Sequence, residues 1–398
     1  MLRSSFIISR YWPNMGGSEL HTRRLAHEIA DRVDVDVVSH CSIEKILPEI
    51  AYAMNENKVI NDKGVVNKQL SATGISRKLL RQLAVYYEKI RLARPVYRAV
   101  MRYSLSNTLT KHIQRSDVLH AVYNGSTATT QTAISVARKQ DIPFVFTPLV
   151  HTTLPEGTAW SSRQFIKLYN KSDAILTMTT FEKQWLALRG VDEKRIHVCP
   201  MAPLLEGEAD TERFRIKYGL GEHPFILFLG RLVDSKGYKV LLEAAGKIWK
   251  DYPDIHLVFA GPATTESVKI FSRIKDSRIH YAGSIVDEEK SSALAACHFL
   301  CVPSLEESLG VIYLEAWQFK KPVIAADIPV LRTVISDQVD GLLCQVNGDA
   351  VAQACLKLLN NPLTSIVMGQ NGFHKVNKHY NWKNIGNQLL SVYQNLLY

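Results

Sequence analysis

The chain has 398 residues, of which 46% are hydrophobic and 22% charged. That is the composition of a globular protein with length enough for two hydrophobic cores. No apolar run approaches the roughly 18 residues of a spanning helix, and the stretch MLRSSFIISRYW has too short an apolar core for a signal peptide. Cys41, Cys199, Cys297, Cys301, Cys344 and Cys355 are scattered through apolar segments, as expected of reduced, buried thiols in a cytoplasmic protein. The net charge of +10 is uneven: twelve Lys or Arg and a single acid, Glu88, stand between Lys63 and Arg115, so that segment carries +11 and the remainder −1. Such asymmetry points to an anionic partner. Nothing in it reads as a nucleic-acid motif, and an anionic membrane surface contacted through 63–115 is the expectation.

In chain order, Phe6-Ile7-Ile8-Ser9 reads as a first strand. The loop after it holds Gly16-Gly17 and leads into an amphipathic helix from about Ser18 to Asp31. Two glycines at a strand's C-terminal end let the backbone turn and approach a ligand. A second strand, 33–38, carries Asp34 and Asp36. Their D-x-D spacing is a metal motif in other contexts, but alternation puts both at the strand's entrance, away from the ligand end. No metal and no other cofactor is therefore expected.

Residues 75–113 read as two helices broken near Pro95, with Leu79, Leu83, Tyr86 and Ile90 as the apolar stripe and Arg77, Lys78, Arg81, Lys89 and Arg91 off it. Strands follow at 117–121 and 144–147, and His151 stands just past the second. Further strands at 172–178 and 195–200 precede a linker, MAPLLEGEADTER. From Phe225 the alternation restarts: strand FILFLG, a helix, strand IHLVFAG, a helix, strand IHYAG, a helix, strand HFLCVP. Repeated strand–helix alternation predicts an α/β chain with a doubly wound parallel sheet in each half. Cys297, His298 and Cys301 begin a strand and lack a second ligand pair.

Two stretches carry chemistry. In Gly230-Arg231-Leu232-Val233-Asp234-Ser235-Lys236-Gly237 a strand ends and two cations precede a helix start. Arginine can grip a diphosphate as a fork and lysine as a point charge. The second stretch runs from Pro303 to Asp327 and holds Glu307 and Glu315 with seven residues between them. A turn leads into a short helix with Ser308 as the expected cap, and the amides of Gly310, Val311 and Ile312 are free to meet an anion. Closure is expected near Lys320 and Lys321, before a strand beginning at Pro322. Carboxylates on both sides of a phosphate site suit a nucleotide sugar.

These motifs, with the order strand, Pro-Ser, Glu, Gly, Glu-Ala, Pro-Val-Ile, resemble the E-x7-E signature of retaining glycosyltransferases of the GT-B fold, family 4. The resemblance covers nearly the whole chain. It implies two Rossmann-like domains facing a cleft: 1–203 on the acceptor side, 204–378 binding the nucleotide-diphosphate sugar, and a helix in 379–398 crossing back to the first. It assigns catalysis to His151, Arg231, Lys236 and Glu307. Donor binding is assigned to Gly16, Gly17, Arg231, Lys236, Gly261, Glu307, Ser308, Leu309, Gly310, Val311, Ile312 and Glu315, with Glu307 on the sugar hydroxyls and Glu315 on the ribose. The acceptor would be a glycan or a lipid-linked group of bacterial surface polysaccharide, lipopolysaccharide or glycolipid, met by a protein peripheral to the inner face of the cytoplasmic membrane. A nucleotide-sugar 2-epimerase of the same fold, a pyridoxal-phosphate-dependent phosphorylase and a non-catalytic scaffold are the competing readings. The epimerase would act on donor alone, and the phosphorylase would absorb as a pyridoxal Schiff base.

Overall fold

The computed structural model describes residues 1–14, 16–41, 46–205 and 207–397. Met15 of the Gly-Gly loop, Glu206 of the expected linker and Tyr398 lie outside them. The chain forms two compact units. The first comprises Met1–Val150, Leu154–Cys199 and Trp382–Tyr398, and the second His151–Thr153 and Pro200–Asn381.

The first unit contains eight described strands: β1 (Arg3–Ile8), β2 (Asp34–Ser39), β3 (Lys58–Asp62), β4 (Val65–Gln69), β5 (Val118–Val122), β6 (Phe144–Thr147), β7 (Ala174–Thr177) and β8 (Ile196–Val198). They form one sheet in the order β3-β4-β2-β1-β5-β6-β7-β8. All neighbours are parallel except the β3–β4 hairpin at the edge. That hairpin escaped the sequence reading, because VINDKGVVNKQ is polar and short. The helix Trp382–Leu397 packs on the helix Gly17–Ile29 of this unit and buries Ile385, Leu389, Val392 and Tyr393. The Tyr393 hydroxyl meets His120 Nδ1 at 2.8 Å and Ser4 Oγ at 3.2 Å.

The second unit holds β9 (Phe225–Leu229), β10 (His256–Ala260), β11 (Ile279–Gly283), β12 (Phe299–Val302), β13 (Val323–Ala326) and β14 (Gly341–Cys344). All are parallel, in the order β11-β10-β9-β12-β13-β14. Strands β9, β10, β12 and β13 are buried along their whole length. Runs such as FILFL and VIAA therefore lack alternation, as befits a sheet covered on both faces. The predicted fold class, parallel-sheet α/β in both halves, is the observed one.

Two helix expectations need correction. The stripe Leu79, Tyr86 and Ile90 does not face the core: these residues are 40%, 51% and 45% exposed. The buried set of the helix Gly74–Tyr87 is Leu80 and Tyr87, with Leu83 and Ala84 packed partly against the core. Both sets have helical spacing, so periodicity could not choose between faces. The Tyr87 hydroxyl, bonded to the Glu49 carboxylate, fixes the choice. The break before the helix Ala93–His112 falls at 88–92, ahead of Pro95; proline is tolerated in a first helical turn, where its missing N–H costs nothing.

Candidate donor site

The site is built in the second unit by two loops at the C-terminal ends of neighbouring strands. After β9 the chain passes through a short turn, Asp234–Lys236, into the helix Tyr238–Asp251. After β12 it runs through 303–310 into the helix Val311–Gln318. Gly237 has φ 80°, and a Cβ there would lie 2.4 Å from the Pro303 carbonyl oxygen. Only glycine lets these loops touch. Leu305 N–H then donates to Ser235 O at 2.8 Å, and Ser304 Oγ to the same oxygen at 3.5 Å.

This contact brings together side chains far apart in sequence. Lys236 Nζ donates to Glu307 Oε1 at 2.6 Å and to Glu306 O at 2.8 Å. The side chains of Lys236 and Glu307 are only 16% and 12% exposed, so water screens the pair weakly. Arg231 is exposed, its carbonyl accepts from Val233 N–H at 2.9 Å, and among the described residues no ion pair or hydrogen bond engages its side chain. His151 and its two successors belong to this unit. Burial lowers the His151 pKa, the nearby Lys236 cation adds to the effect, and Glu307 opposes it. A neutral imidazole at pH 7 follows.

The helix start differs from expectation. Gly310, in the left-handed conformation, is the cap, and Ser308 lies outside the helix. Closure comes at Gln318, ahead of Lys320 and Lys321, because Phe319 already leaves helical geometry and Lys320 is left-handed (φ 55°). The Tyr313 hydroxyl donates to Val302 O at 2.6 Å and the Trp317 indole to Asp340 O at 2.8 Å, which lock the helix beneath β12. Val311 and Ile312 sit in its first turn, whose amides have no intrahelical acceptor and can meet an anion. Leu309 is buried, so a ligand could reach only its backbone.

Glu315 is 2% exposed. Its Oε1 accepts from Leu204 N–H at 3.1 Å and Lys290 Nζ at 3.0 Å. Burial raises its pKa and the Lys290 charge opposes the rise. Neither partner could be read from the E-x7-E spacing, since Lys290 looks like any surface cation in DEEKSS. Gly261, resembling a phosphate-loop glycine, has a packing reason to be glycine: a Cβ would lie 2.0 Å from Gly230 O, where the ends of β9 and β10 meet.

In the first unit, Gly16 caps the helix Gly17–Ile29, of which Gly17 is the first residue. Glu19 Oε1 accepts from Asn124 Nδ2 at 3.1 Å, and Glu19 Oε2 from Ser18 Oγ at 2.9 Å. Asn124 also accepts from Ser9 N–H at 2.8 Å and donates to Arg10 O at 3.0 Å. It thus organises the Gly-Gly loop, a role nothing in the sequence signalled. Asp36, buried, accepts from Ser5 Oγ and pairs with Lys68 and, at 3.5 Å, with Arg3. Asp34 lies 3.6 Å from Arg3 and is exposed. The D-x-D carboxylates thus belong to an ion network at the N-terminal end of β2.

The basic segment divides similarly. Arg77 Nη2 donates to Asn55 O at 2.9 Å, Arg81 Nε to Ala53 O at 3.2 Å and Arg94 Nε to Tyr87 O at 3.0 Å, while Arg98 pairs with Glu49 at 3.2 Å. Lys78, Lys89 and Arg91 remain outside such contacts among the described residues. They lie on the same stretch as the exposed Ile75, Leu79, Tyr86 and Ile90. No described helix is long and apolar enough to cross a membrane.

Two α/β units built on largely parallel sheets, one carrying a cationic loop against the N-terminus of a glutamate-bearing helix, make up a two-domain architecture of GT-B type. Residues 15–202 match the model of Glycosyltransferase Family 4 and residues 210–375 that of Glycosyl transferases group 1, so the chain belongs to the family 4 glycosyltransferases of GT-B type. The chain is 26% identical over 247 residues to an alpha-D-kanosaminyltransferase of Streptomyces kanamyceticus (60% of this chain, 63% of the relative). It is 27% identical over 262 residues to a phosphatidyl-myo-inositol mannosyltransferase of Propionibacterium freudenreichii (62% and 63%). The matches thus span somewhat less than two thirds of each relative. Anabaena HepE in complex with UDP-glucose has the same fold, with TM-score 0.76 at 14% identity over 99% of this chain and 100% of that one.

Proposed function

We propose that the protein is a retaining hexosyltransferase that moves a sugar from a nucleotide-diphosphate sugar to a lipid-linked or glycan acceptor in bacterial surface-polysaccharide, lipopolysaccharide or glycolipid synthesis. The observation that carries this reading is the convergence of Lys236 and Glu307 across 71 residues, with unpaired Arg231 on the same loop as Lys236. A diphosphate is drawn to Arg231, Lys236 and the first-turn amides of the helix Val311–Gln318. These groups stabilise the negative charge that grows on the leaving phosphate. Preorganised electrostatics of this kind are commonly the largest single catalytic term, and one donor contributes about 3 kcal/mol.

Glu307, next to the diphosphate, accepts from sugar hydroxyls, neutral His151 offers a hydrogen bond to the transferred sugar, and Glu315 serves the ribose. The departing phosphate helps to take the acceptor proton, so the donor's configuration is kept without a nucleophilic carboxylate. Binding needs no divalent metal, since protein cations already meet the diphosphate and a metal at Asp36 would have to displace Lys68 and Arg3. UDP-glucose in HepE and the phosphatidylinositol acceptor named for the mannosyltransferase support the donor class and a lipid acceptor.

The exposed apolar stripe Ile75, Leu79, Tyr86 and Ile90, flanked by Lys78, Lys89 and Arg91, supports peripheral docking on an anionic membrane. The test is a panel of nucleotide sugars screened for thermal stabilisation, followed by incubation of the best donor with and without lipid-linked acceptors. Glycosylated acceptor of unchanged anomeric configuration is expected. An epimer formed from donor alone would favour the epimerase, and stabilisation by none of the panel would overturn the donor assignment.

A further inference from the structure

A second cationic site lies wholly within the first unit and shares no residue with the donor set. The helices Ala93–His112, Thr127–Lys139 and Arg163–Lys171 border a cavity of about 390 Å³ lined by Arg102, Arg163, Lys167 and Lys171, with Gln131 and Gln164 among the other lining residues. No carboxylate is among its lining residues. Elsewhere in the unit, cations are commonly matched: Arg23 with Asp62, Arg138 with Asp173, Arg189 with Glu156, Lys183 with Glu193. Among the described residues, none of the four cavity side chains makes an ion pair or hydrogen bond.

The cluster follows from how the third helix is held. Ser162 Oγ accepts from Phe165 N–H at its start, and Phe165, Leu168 and Tyr169 are buried. Arg138 Nη2 donates to Lys171 O at its end. With those contacts set, Arg163, Lys167 and Lys171, four residues apart in turn, fall on one face. Arg102 and the two glutamines complete the wall from the other helices and from that face. Four like charges around one cavity repel one another, and a multiply charged anion relieves that repulsion. Arginine forks and lysine point charges match phosphate oxygens, and glutamine amides add neutral donors. The volume is at the lower end of the roughly 300–1,000 Å³ of small-molecule pockets, so it admits more than a simple ion.

We propose that this cavity binds a phosphate-bearing group with two or more negative charges, such as a diphosphate or a phosphomonoester. The same chemistry is offered by a soluble diphosphate and by a lipid headgroup. Competitive lysine acetylation of the full chain, read by mass spectrometry, distinguishes them. At constant ionic strength, inorganic pyrophosphate is expected to slow acetylation of Lys167 and Lys171 several-fold and to leave Lys183, paired with Glu193, unchanged. The protection should vanish in Arg102→Gln/Arg163→Gln, whose altered residues are both exposed.

A parallel arm uses phosphatidylcholine vesicles with and without phosphatidic acid. Protection by phosphatidic acid vesicles identifies a headgroup as a source, and protection by pyrophosphate alone identifies a soluble one. Unchanged reactivity of both lysines in every arm, or protection that survives the double substitution, overturns the proposal. The outcome does not depend on Arg231 or Lys236, so it is separable from the fate of the donor site.

Discussion

The two units share a parallel-sheet plan but hold their working cations differently. In the second, Lys236 is fixed by Glu307 and the Glu306 carbonyl, and Arg231 on the same loop is left exposed. In the first, four cations surround a cavity with no acid in its lining. A cation held by a carboxylate keeps its place without ligand and is suited to meeting charge that develops during a reaction. A cluster of unpaired cations is better suited to binding, because a ligand relieves its repulsion. The contrast teaches that cation count, which drew attention to 63–115, is a poorer guide than cation pairing.

The sharpest way to break this comparison is to remove each cation of the 230–237 loop in turn. Arg231→Ala and Lys236→Ala should each lower turnover by about 3 kcal/mol, roughly a hundredfold, with a much smaller change in KM. Steady-state kinetics with the donor found by the panel would check this, and near-normal turnover in both variants would move the leaving-group site elsewhere. Glu315→Gln should weaken nucleoside diphosphate affinity by about 1–3 kcal/mol, measured by calorimetry. The same change should lower Tm, because the partly buried Lys290 ammonium loses the nearer of its two carboxylates and keeps only Asp287 at 3.6 Å.

Acid should undermine the first unit more than the second, where His256 is the one described histidine that burial brings down to about 4. Burial lowers the pKa of His21 and His40 to about 4 and that of His120 to about 3. Unfolded histidines titrate near 6.5. Between pH 6.5 and 4 the unfolded state therefore binds up to three more protons at these sites, and stability falls with falling pH by about 1.4 kcal/mol per pH unit per histidine. Glu182, raised to about 8 by burial, acts in the opposite sense over the same window but supplies one proton. Denaturant midpoints measured from pH 7 to 5 should fall, and His120→Asn should flatten the slope.

The smallest expected effect is on membrane docking, about 1 kcal/mol per engaged cation at low salt. Lys78→Ser, Lys89→Ser and Arg91→Ser together should reduce sedimentation with anionic vesicles. Arg77→Ser and Arg81→Ser would blur that test, since both residues hold backbone carbonyls of the 53–55 turn. Indifference of the wild type to anionic vesicles at low salt would remove the docking reading and leave the donor site untouched.

Much of the second unit was legible in the sequence. Buried parallel strands write themselves as apolar runs, and loops that meet a phosphate need glycine and cations at fixed offsets. What could not be read was pairing across distance. Lys236 with Glu307, Lys290 with Glu315 and Asn124 with Glu19 join residues whose local sequences carry no mark of one another. The first unit was less legible because its helices between 74 and 112 offer two apolar faces. Tertiary packing on Glu49 and Tyr97, not periodicity, selects Leu80 and Tyr87 for the interior. The cap at Gly310 was missed for a related reason: Ser308 has the better capping chemistry, but the left-handed turn at Gly310 sets where the helix begins.

The central claim is that the loop bearing Arg231 and Lys236 recognises a diphosphate. Calorimetric titration of the full chain with a nucleoside diphosphate and the matching monophosphate tests it most directly, in the wild type and in Arg231→Ala. The wild type should bind the diphosphate about tenfold or more tightly, a difference of about 1.4 kcal/mol, and Arg231→Ala should lose most of that preference while keeping its affinity for the monophosphate. Equal affinity for the two nucleotides in the wild type, or a preference that survives Arg231→Ala unchanged, would contradict the account.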